Sequence, residues 1–461
     1  MTALLDSGAG GTPPPSLRKV RQAVVVGSAL EWFDFYLYAS MAALVFAPIF
    51  FPSESSATGT LAALATFAVG FLARPVGGIL FGVLGDKIGR KKVLSISFVL
   101  MGVSSGLIGL IPSYAHIGVA APVLLVLFRI LQGLGAGAEV GPAMAVSYEH
   151  ADPKFRGRQG AWTAIGVNIG LFASALVVTG LTSIDRELLQ AWGWRIPFVA
   201  SFVLVAFGFW IRRQMPETPE FEQIAEKAPS RGKARPLREL FRSDWRGLAV
   251  VMAITFGYNA VSYTFKTFSL SYLTQFRDVA ANVGAFGIML ASACAILIAP
   301  LAGRLCDRID AGRVIIVGAL ATAALAFPFF WLLNSGQSTY IWMALILASG
   351  VIVPGMLAAS GSFLARQFPA EVRTTGLGTG REVAGAVAGG LAPLGALTMV
   401  TMSADHDTWG VSLLFVVGAA FIAAGCVFDQ KRRVESRAVS PTDTEAQDLQ
   451  DTGPGSASHQ P

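Results

Sequence analysis

The sequence predicts an all-α polytopic membrane protein with twelve transmembrane helices. The 461 residues are 53% hydrophobic and only 14% charged, a composition far from that of a soluble domain. Mean hydropathy is +0.58. Apolar stretches of about twenty or more residues recur along the chain, each long enough to cross roughly 30 Å of hydrocarbon at ~1.5 Å per residue.

In order, the expected spans are 23–51, 57–84, 92–111, 119–149, 158–182, 193–212, 247–275, 281–303, 313–334, 339–364, 375–402 and 409–428. The first follows a Gly/Pro/Ser-rich segment, 1–22, that ends in Arg18, Lys19 and Arg21. It is too long for the apolar core of a signal peptide and has no small-residue cleavage site, so we expect an uncleaved first helix. Short polar breaks separate the spans up to residue 212. A long basic and hydrophilic break at 213–246 then divides them six and six. The expected organisation is an N-terminal cytoplasmic tail (1–22), a six-helix bundle (23–212), a cytoplasmic linker (213–246), a second six-helix bundle (247–428) and a disordered, Ser/Pro/acid-rich cytoplasmic tail (429–461).

Basic residues resist translocation, so their distribution sets the orientation. The clusters at Lys87–Lys92, Lys154–Arg158, 212–246 and 304–313, with Arg366, Arg373 and both tails, fall on one side, against Arg186, Arg195 and Arg277 on the other. Both termini are expected in the cytoplasm. The pI near 9.3 then reflects topology and attraction to anionic lipid headgroups rather than nucleic-acid binding. Cys294, Cys306 and Cys426 show no C-x-x-C spacing, and His116, His150, His406 and His459 fall in loops or the tail, so no metal site or cofactor is expected. Gly133, Gly135 and Gly137 imitate a dinucleotide loop, but no strand precedes them inside a membrane span. Close helix packing is the reading they support.

A weak internal repeat supports two equivalent halves: GVLGDKIGR at 82–90 and GRLCDRIDA at 303–311 each follow the second span of their half. The first of these, with its following basic pair, resembles the loop signature of the major facilitator superfamily, and RILQGLG at 129–135 resembles its fourth-helix motif. EWFDF (31–35), RPVGG (74–78), WGWRIPF (192–198), PETPEF (216–221) and FPAEVRTTG (368–376) resemble the metabolite:proton symporter branch, which includes permeases for α-ketoglutarate, shikimate, citrate, and proline or betaine. The resemblance runs over about residues 20 to 430. It implies the major facilitator fold and transport of a small molecule driven by the proton gradient. Three departures stand out. Asp310 and Ala311 replace the glycine and arginine of the second loop signature, leaving Arg313 as the nearby cation. Arg366 stands where a glutamate is common. Arg381-Glu382 occupies a place in the eleventh span where an uncharged aromatic-polar pair is expected.

An ionised side chain at the bilayer centre costs at least ~2.5 kcal/mol, so such residues face a partner or a wet cavity. Asp34 lies about 11 residues, or ~16 Å, into the first span, and Arg129 about 10 residues, or ~15 Å, into the fourth, which enters from the opposite side. Both reach the midplane. We expect Asp34 to accept the proton and Arg129 to compete for it; related porters of the superfamily use such an aspartate and arginine, and these positions match. A static ion pair between two helices is the alternative. Glu31, one turn from Asp34 toward the cytoplasm, is a second proton site, a gate contact or a partner of Arg74. Glu139, three turns beyond Arg129, shares that face and is a further coupling candidate.

The expected gate residues are Arg74, Asp86, Gly89, Arg90 and Asp307, with Glu149 and Arg156 as a companion contact after the fourth span. Candidate substrate contacts are the polar groups inside apolar spans: Gln132, Asn168, Tyr258, Asn259, Tyr263, Lys266 and Arg381. Lys266, near the outer end, is otherwise expected to snorkel. Arg381 facing the cavity would favour a carboxylate substrate, because arginine binds one bidentately.

The leading expectation is proton-coupled uptake of a small organic acid or zwitterionic metabolite by a monomer in the cell membrane. Its partners are the substrate, protons and lipid. A proton-coupled efflux antiporter is the first alternative, although the fifth span lacks the Gly-Pro-x-x-Gly-Gly ending of many drug antiporters. A non-transporting membrane sensor is the alternative of another class. An enzyme is not expected, since no HExxH, GxSxG or clustered His/Cys occurs.

Overall fold

Each of the twelve expected spans overlaps a helix in the computed structural model, which describes residues 17–52, 56–88, 90–137, 144, 147–148, 151–213, 242, 244–368, 373–403 and 405–438. The long helices are α1 Leu17–Leu44, α2 Ser56–Ile88, α3 Arg90–Ile108, α4 Ala120–Ala136, α5 Arg156–Thr182, α6 Arg195–Arg213, α7 Trp245–Phe276, α8 Ala281–Arg308, α9 Ala311–Asn334, α10 Ser338–Ala365, α11 Arg373–Met402 and α12 Trp409–Ala438. Nine of them have the length and hydropathy to cross a membrane, and shorter apolar helices lie at Ser95–Ile108 and Ala120–Ala136. The remaining one, α1, carries Glu31 and Asp34 at its centre.

Helix is what hydrocarbon demands, because backbone N–H and C=O groups find no water there and must pair within the segment. The same solvent explains the outer surface: Met402 is 81%, Trp331 76% and Val203 71% exposed, an apolar coat suited to lipid. Pro75, Pro300, Pro328 and Pro393 sit inside helices, as membrane helices packed among neighbours tolerate. Wide π-turns interrupt α7 at Thr264–Phe268 and α10 at Ile346–Ile352.

Several boundaries differ from the expected ones: the first helix ends at Leu44 rather than 51, α4 is described as Ala120–Ala136 against an expected 119–149, and α8 runs on to Arg308 rather than 303. The first helix begins at Leu17 and takes in Arg18, Lys19 and Arg21. The last helix continues through Lys431 to Ala438, past the expected end at 428, because Gln, Lys, Arg and Glu are good helix formers that carry a helix on beyond its apolar stretch. The expected linker, except Arg213, Arg242 and residues from Asp244 on, lies outside the described residues, as do residues 1–16 and 439–461.

Helix pairing repeats between the halves with a shift of six. In the first half α1 packs on α5 and α6, α2 on α4, and α3 on α4 and α6; in the second α7 packs on α11 and α12, α8 on α10, and α9 on α10 and α12. The halves meet along two matching seams, α5 with α8 and α2 with α11; α5 also packs on α10, and α1 touches α7. This is the pseudo-two-fold arrangement of a duplicated membrane bundle.

Small residues let these helices approach. A Cβ on Gly133 would overlap the carbonyl oxygen of Gly70, and one on Gly137 that of Arg74. The packing reading of the α4 glycines therefore holds. Gly133→Leu should push α4 off α2 and destabilise the fold by about 1–3 kcal/mol, read as a lower unfolding temperature in detergent. An unchanged transition would mean that this contact is not formed.

Candidate functional site

The polar side chains of the spans collect in three groups around α1. The first surrounds Asp34, which is 5% exposed. Ser105 on α3 donates its hydroxyl to Asp34 Oδ2, and so does the Gln132 amide on α4; Gln132 Nε2 also lies 2.7 Å from Ser105 Oγ. Arg129, fully buried, donates to Gln132 Oε1. Its guanidinium lies 3.8 Å from the Tyr38 ring centroid and 5.2 Å from that of Phe35. The expected partners Asp34 and Arg129 are thus linked through Gln132 rather than in a direct ion pair. The repeat of α4 explains this: Gln132, one turn after Arg129, shares its face. Asp34 Oδ1 has no hydrogen-bond partner among the described residues.

The second group is an ion cluster across the α2–α11 seam. Arg74 NH2 lies 3.2 Å from Glu31 Oε1, and Arg74 Nε lies 2.7 Å from Glu382 Oε2 on the opposite half. All three residues are buried. The guanidinium stacks 5.0 Å from the Phe35 ring centroid and 5.9 Å from that of Trp32. Glu31 therefore pairs with Arg74, one of the roles expected of it. Arg381, next to Glu382, donates to Met144 Sδ at 2.7 Å.

The third group lies where α7 meets α1. Lys266, within the π-turn, is 3% exposed. Its Nζ is 3.2 Å from Tyr36 OH and 3.3 Å from Ser262 Oγ. Snorkelling is thereby corrected: the side chain points into the protein, because the wide turn sets its stem against α1 rather than along the helix toward water. Tyr263 packs on Phe71 at 5.0 Å and Phe67 at 5.8 Å between centroids, joining α7 to α2. Asn259 is buried near Gly385 of α11, and Tyr258 is half-buried. Asn168 bonds to Ala164 O of its own helix at 2.7 Å.

The helix ends carry the remaining candidates. Asp307 at the end of α8 accepts from the backbone N–H groups of Gly157 (2.8 Å) and Arg158 (3.3 Å), and its carboxylate lies 2.9 Å from Arg158 Nε. It so caps the first turn of α5 from the other half, where free N–H groups and the helix dipole favour an anion. Arg156 stacks 4.4 Å from the Tyr148 ring centroid. Glu139, Gly89 and Glu149 lie outside the described residues, and the side chains of Asp86 and Arg90 are likewise not described.

The departures in the second loop signature compensate each other. Asp310 pairs with Arg366 at 2.6 Å, and Arg366 also reaches Asp429 of α12 at 3.4 Å. The cation paired with Asp310 is Arg366, while Arg313, the cation nearby in sequence, gives its backbone N–H to Asp310 O at 2.9 Å. Reversing one partner, Asp310→Arg or Arg366→Glu, should cost about 1 kcal/mol, the upper range for a partly exposed pair. The double reversal should regain the share lost at position 310 but not the Arg366 contact to the buried Asp429, so it should melt above the sum of the two single losses; an additive loss would show that the pair carries no coupling.

This arrangement has known counterparts. The family model described as Major Facilitator Superfamily matches residues 24–393 and 277–450. The chain belongs to the major facilitator superfamily. Among curated members of the superfamily, it is 36% identical over 422 residues to the shikimate transporter of Escherichia coli, covering 89% of this chain and 94% of that protein. It is 36% identical over 394 residues to the E. coli alpha-ketoglutarate permease, covering 85% and 89%. It is 35% identical over 397 residues to the proline/betaine transporter of Salmonella typhimurium, covering 84% and 79%. These relatives are named for cargoes that the sequence motifs indicated, and they are transporters and permeases, not enzymes. Among solved superfamily structures, the proton:xylose symporter XylE bound to 6-bromo-6-deoxy-D-glucose superposes with a TM-score of 0.68 at 17% identity, covering 90% of this chain and 95% of that one. That likeness shows the shared fold.

Reasoning from sequence passed over Ser105, Tyr38 and Met144, and it noted Glu382 without giving it a place in the site. Ser105 and Tyr38 carry no signal of their own, since serine and tyrosine are ordinary in such spans. Glu382 did: a buried acid in a membrane helix calls for a named partner.

Proposed function

We propose that the chain is a proton-coupled symporter that takes up a small organic acid or zwitterionic metabolite by alternating access. It works as a monomer in the cell membrane with both termini in the cytoplasm, and the proton gradient is its driving force. One observation carries this reading: the buried Asp34 holds Ser105 and Gln132 with one oxygen while the other has no partner. That free oxygen is a seat for a proton. Arg129 stands one residue away through Gln132, so a shift of α4 against α1 changes how strongly the cation favours the ionised form. Asp34 is the proton carrier in this scheme and Arg129 the residue that modulates it.

The cargo follows from the cations facing the seam. Lys266, Arg74 and Arg381 lie at the contact between halves, and shikimate, alpha-ketoglutarate, proline and betaine, named for the relatives, all carry a carboxylate. Tyr258, Asn259 and Tyr263 on α7 supply hydroxyl and amide contacts. In right-side-out vesicles, labelled substrate should accumulate when the outside is acidified, and a protonophore should stop it. Accumulation in the reverse direction would instead establish efflux, and absence of any flux of shikimate, 2-oxoglutarate, proline and betaine would overturn this reading of the cargo.

A further inference from the structure

Arg74 makes two contacts to Glu382, Nε to Oε2 at 2.7 Å and NH2 to Oε1 at 3.4 Å. This is the fork in which a guanidinium holds a free carboxylate. Here the carboxylate comes from the opposite half, on α11, at a place where the family resemblance leads one to expect an uncharged pair. Around it lie buried donors with no partner among the described residues: Arg74 NH1, Arg381 Nε and the Tyr263 hydroxyl. Arg381 adjoins Glu382 in the chain, and Tyr263 shares with Arg74 a packing face on Phe71. Unmet donors next to a filled carboxylate seat mark a place for a further acceptor, since each costs desolvation energy until it finds one.

We propose that Glu382 is a built-in stand-in for the substrate carboxylate: it sits on Arg74 while the site is empty and is displaced when a carboxylate-bearing substrate enters. The proposal rests on the reading above that the cargo carries a carboxylate, and it adds how the cargo acts on the protein. The incoming anion takes the Arg74 fork and the adjacent free donors. Glu31 stays on Arg74 from its own half, so the arginine remains anchored to α1 throughout. Release of Glu382 removes the ion pair that ties α11 to α2, so occupancy by an anion loosens that seam. An uncharged molecule makes no comparable claim on Arg74 and leaves the tie in place.

The test uses the full chain in nanodiscs and tryptophan fluorescence, because Trp32 lies 5.9 Å from the Arg74 guanidinium; a Trp32→Phe variant assigns the signal. The probes are shikimate, 2-oxoglutarate and betaine, with xylose as the uncharged control. Glu382→Gln should bind the carboxylate probes about tenfold more tightly than the wild type, equivalent to roughly 1.4 kcal/mol of lost competition, and should bind xylose no better. Arg74→Lys in that background should remove the gain. Should Glu382→Gln fail to fold, Glu382→Asp, whose shorter arm weakens the hold on Arg74, should show a smaller gain in the same direction. Equal carboxylate affinity in wild type and variants overturns the stand-in and leaves the carboxylate reading intact. Binding of none of the carboxylates by any of these proteins overturns both.

Discussion

Asp34→Asn should abolish proton-driven accumulation while leaving exchange of labelled for unlabelled substrate. The amide has the shape of the carboxyl group, and its oxygen can take the place of Oδ2 as acceptor from Ser105 and Gln132. Its NH2 then occupies the position of Oδ1, which has no partner to lose. The helices around it are thus expected to stay in place, and what disappears is the titrating group. A gradient of one pH unit is worth about 1.4 kcal/mol, or about tenfold accumulation per proton carried. The variant should fall to a ratio of about one under the same gradient, because nothing couples the two fluxes. Vesicle uptake with and without a protonophore reads this directly. Full accumulation by the variant would remove Asp34 from the coupling step.

The second large effect is expected at Arg74. Replacing it by Leu leaves Glu31 and Glu382 buried with their shared cation gone. Breaking a buried ion pair from one side costs about 3–5 kcal/mol, because an uncompensated charge remains. Arg74→Leu should therefore yield little monodisperse protein and a sharply lower unfolding temperature. Glu382→Gln, by contrast, leaves Arg74 on Glu31 and should be much milder. The triple change Arg74→Leu, Glu31→Gln and Glu382→Gln removes every charge of the cluster and should recover much of the loss. If Arg74→Leu melts with the wild type, the cluster is not what joins α2 to α11.

The spans were legible because lipid imposes one rule on every residue facing it, and hydropathy reports that rule without knowledge of neighbours. Asp34, Arg129, Glu31 and Arg74 were legible for the complementary reason, since a charge in such a span must be met by something. What met them was less legible. Sequence placed Asp34 and Arg129 at one depth but did not show that Gln132 would stand between them, because spacing fixes height along a helix and leaves rotation about its axis to packing. The pairing of Asp310 with Arg366 was hidden in the same way: each looked like a separate departure, and only the meeting of α9 with α10 shows that one reverses the other. Lys266 was misplaced because a regular helix was assumed where a π-turn re-aims the side chain.

The repeated pairing scheme has a mechanical consequence. The α5–α8 and α2–α11 seams are exchanged by the same six-helix shift, so they are paired edges of one interface, with α1 against α7. A tilt of one half against the other stretches both edges at one face of the membrane and compresses both at the other. The Asp307 cap on α5 and the Glu382 tie to α2 lie on opposite edges, one across each seam. Under the alternating access proposed above, opening this interface would require both contacts to part, so freeing one alone would leave the other edge tied.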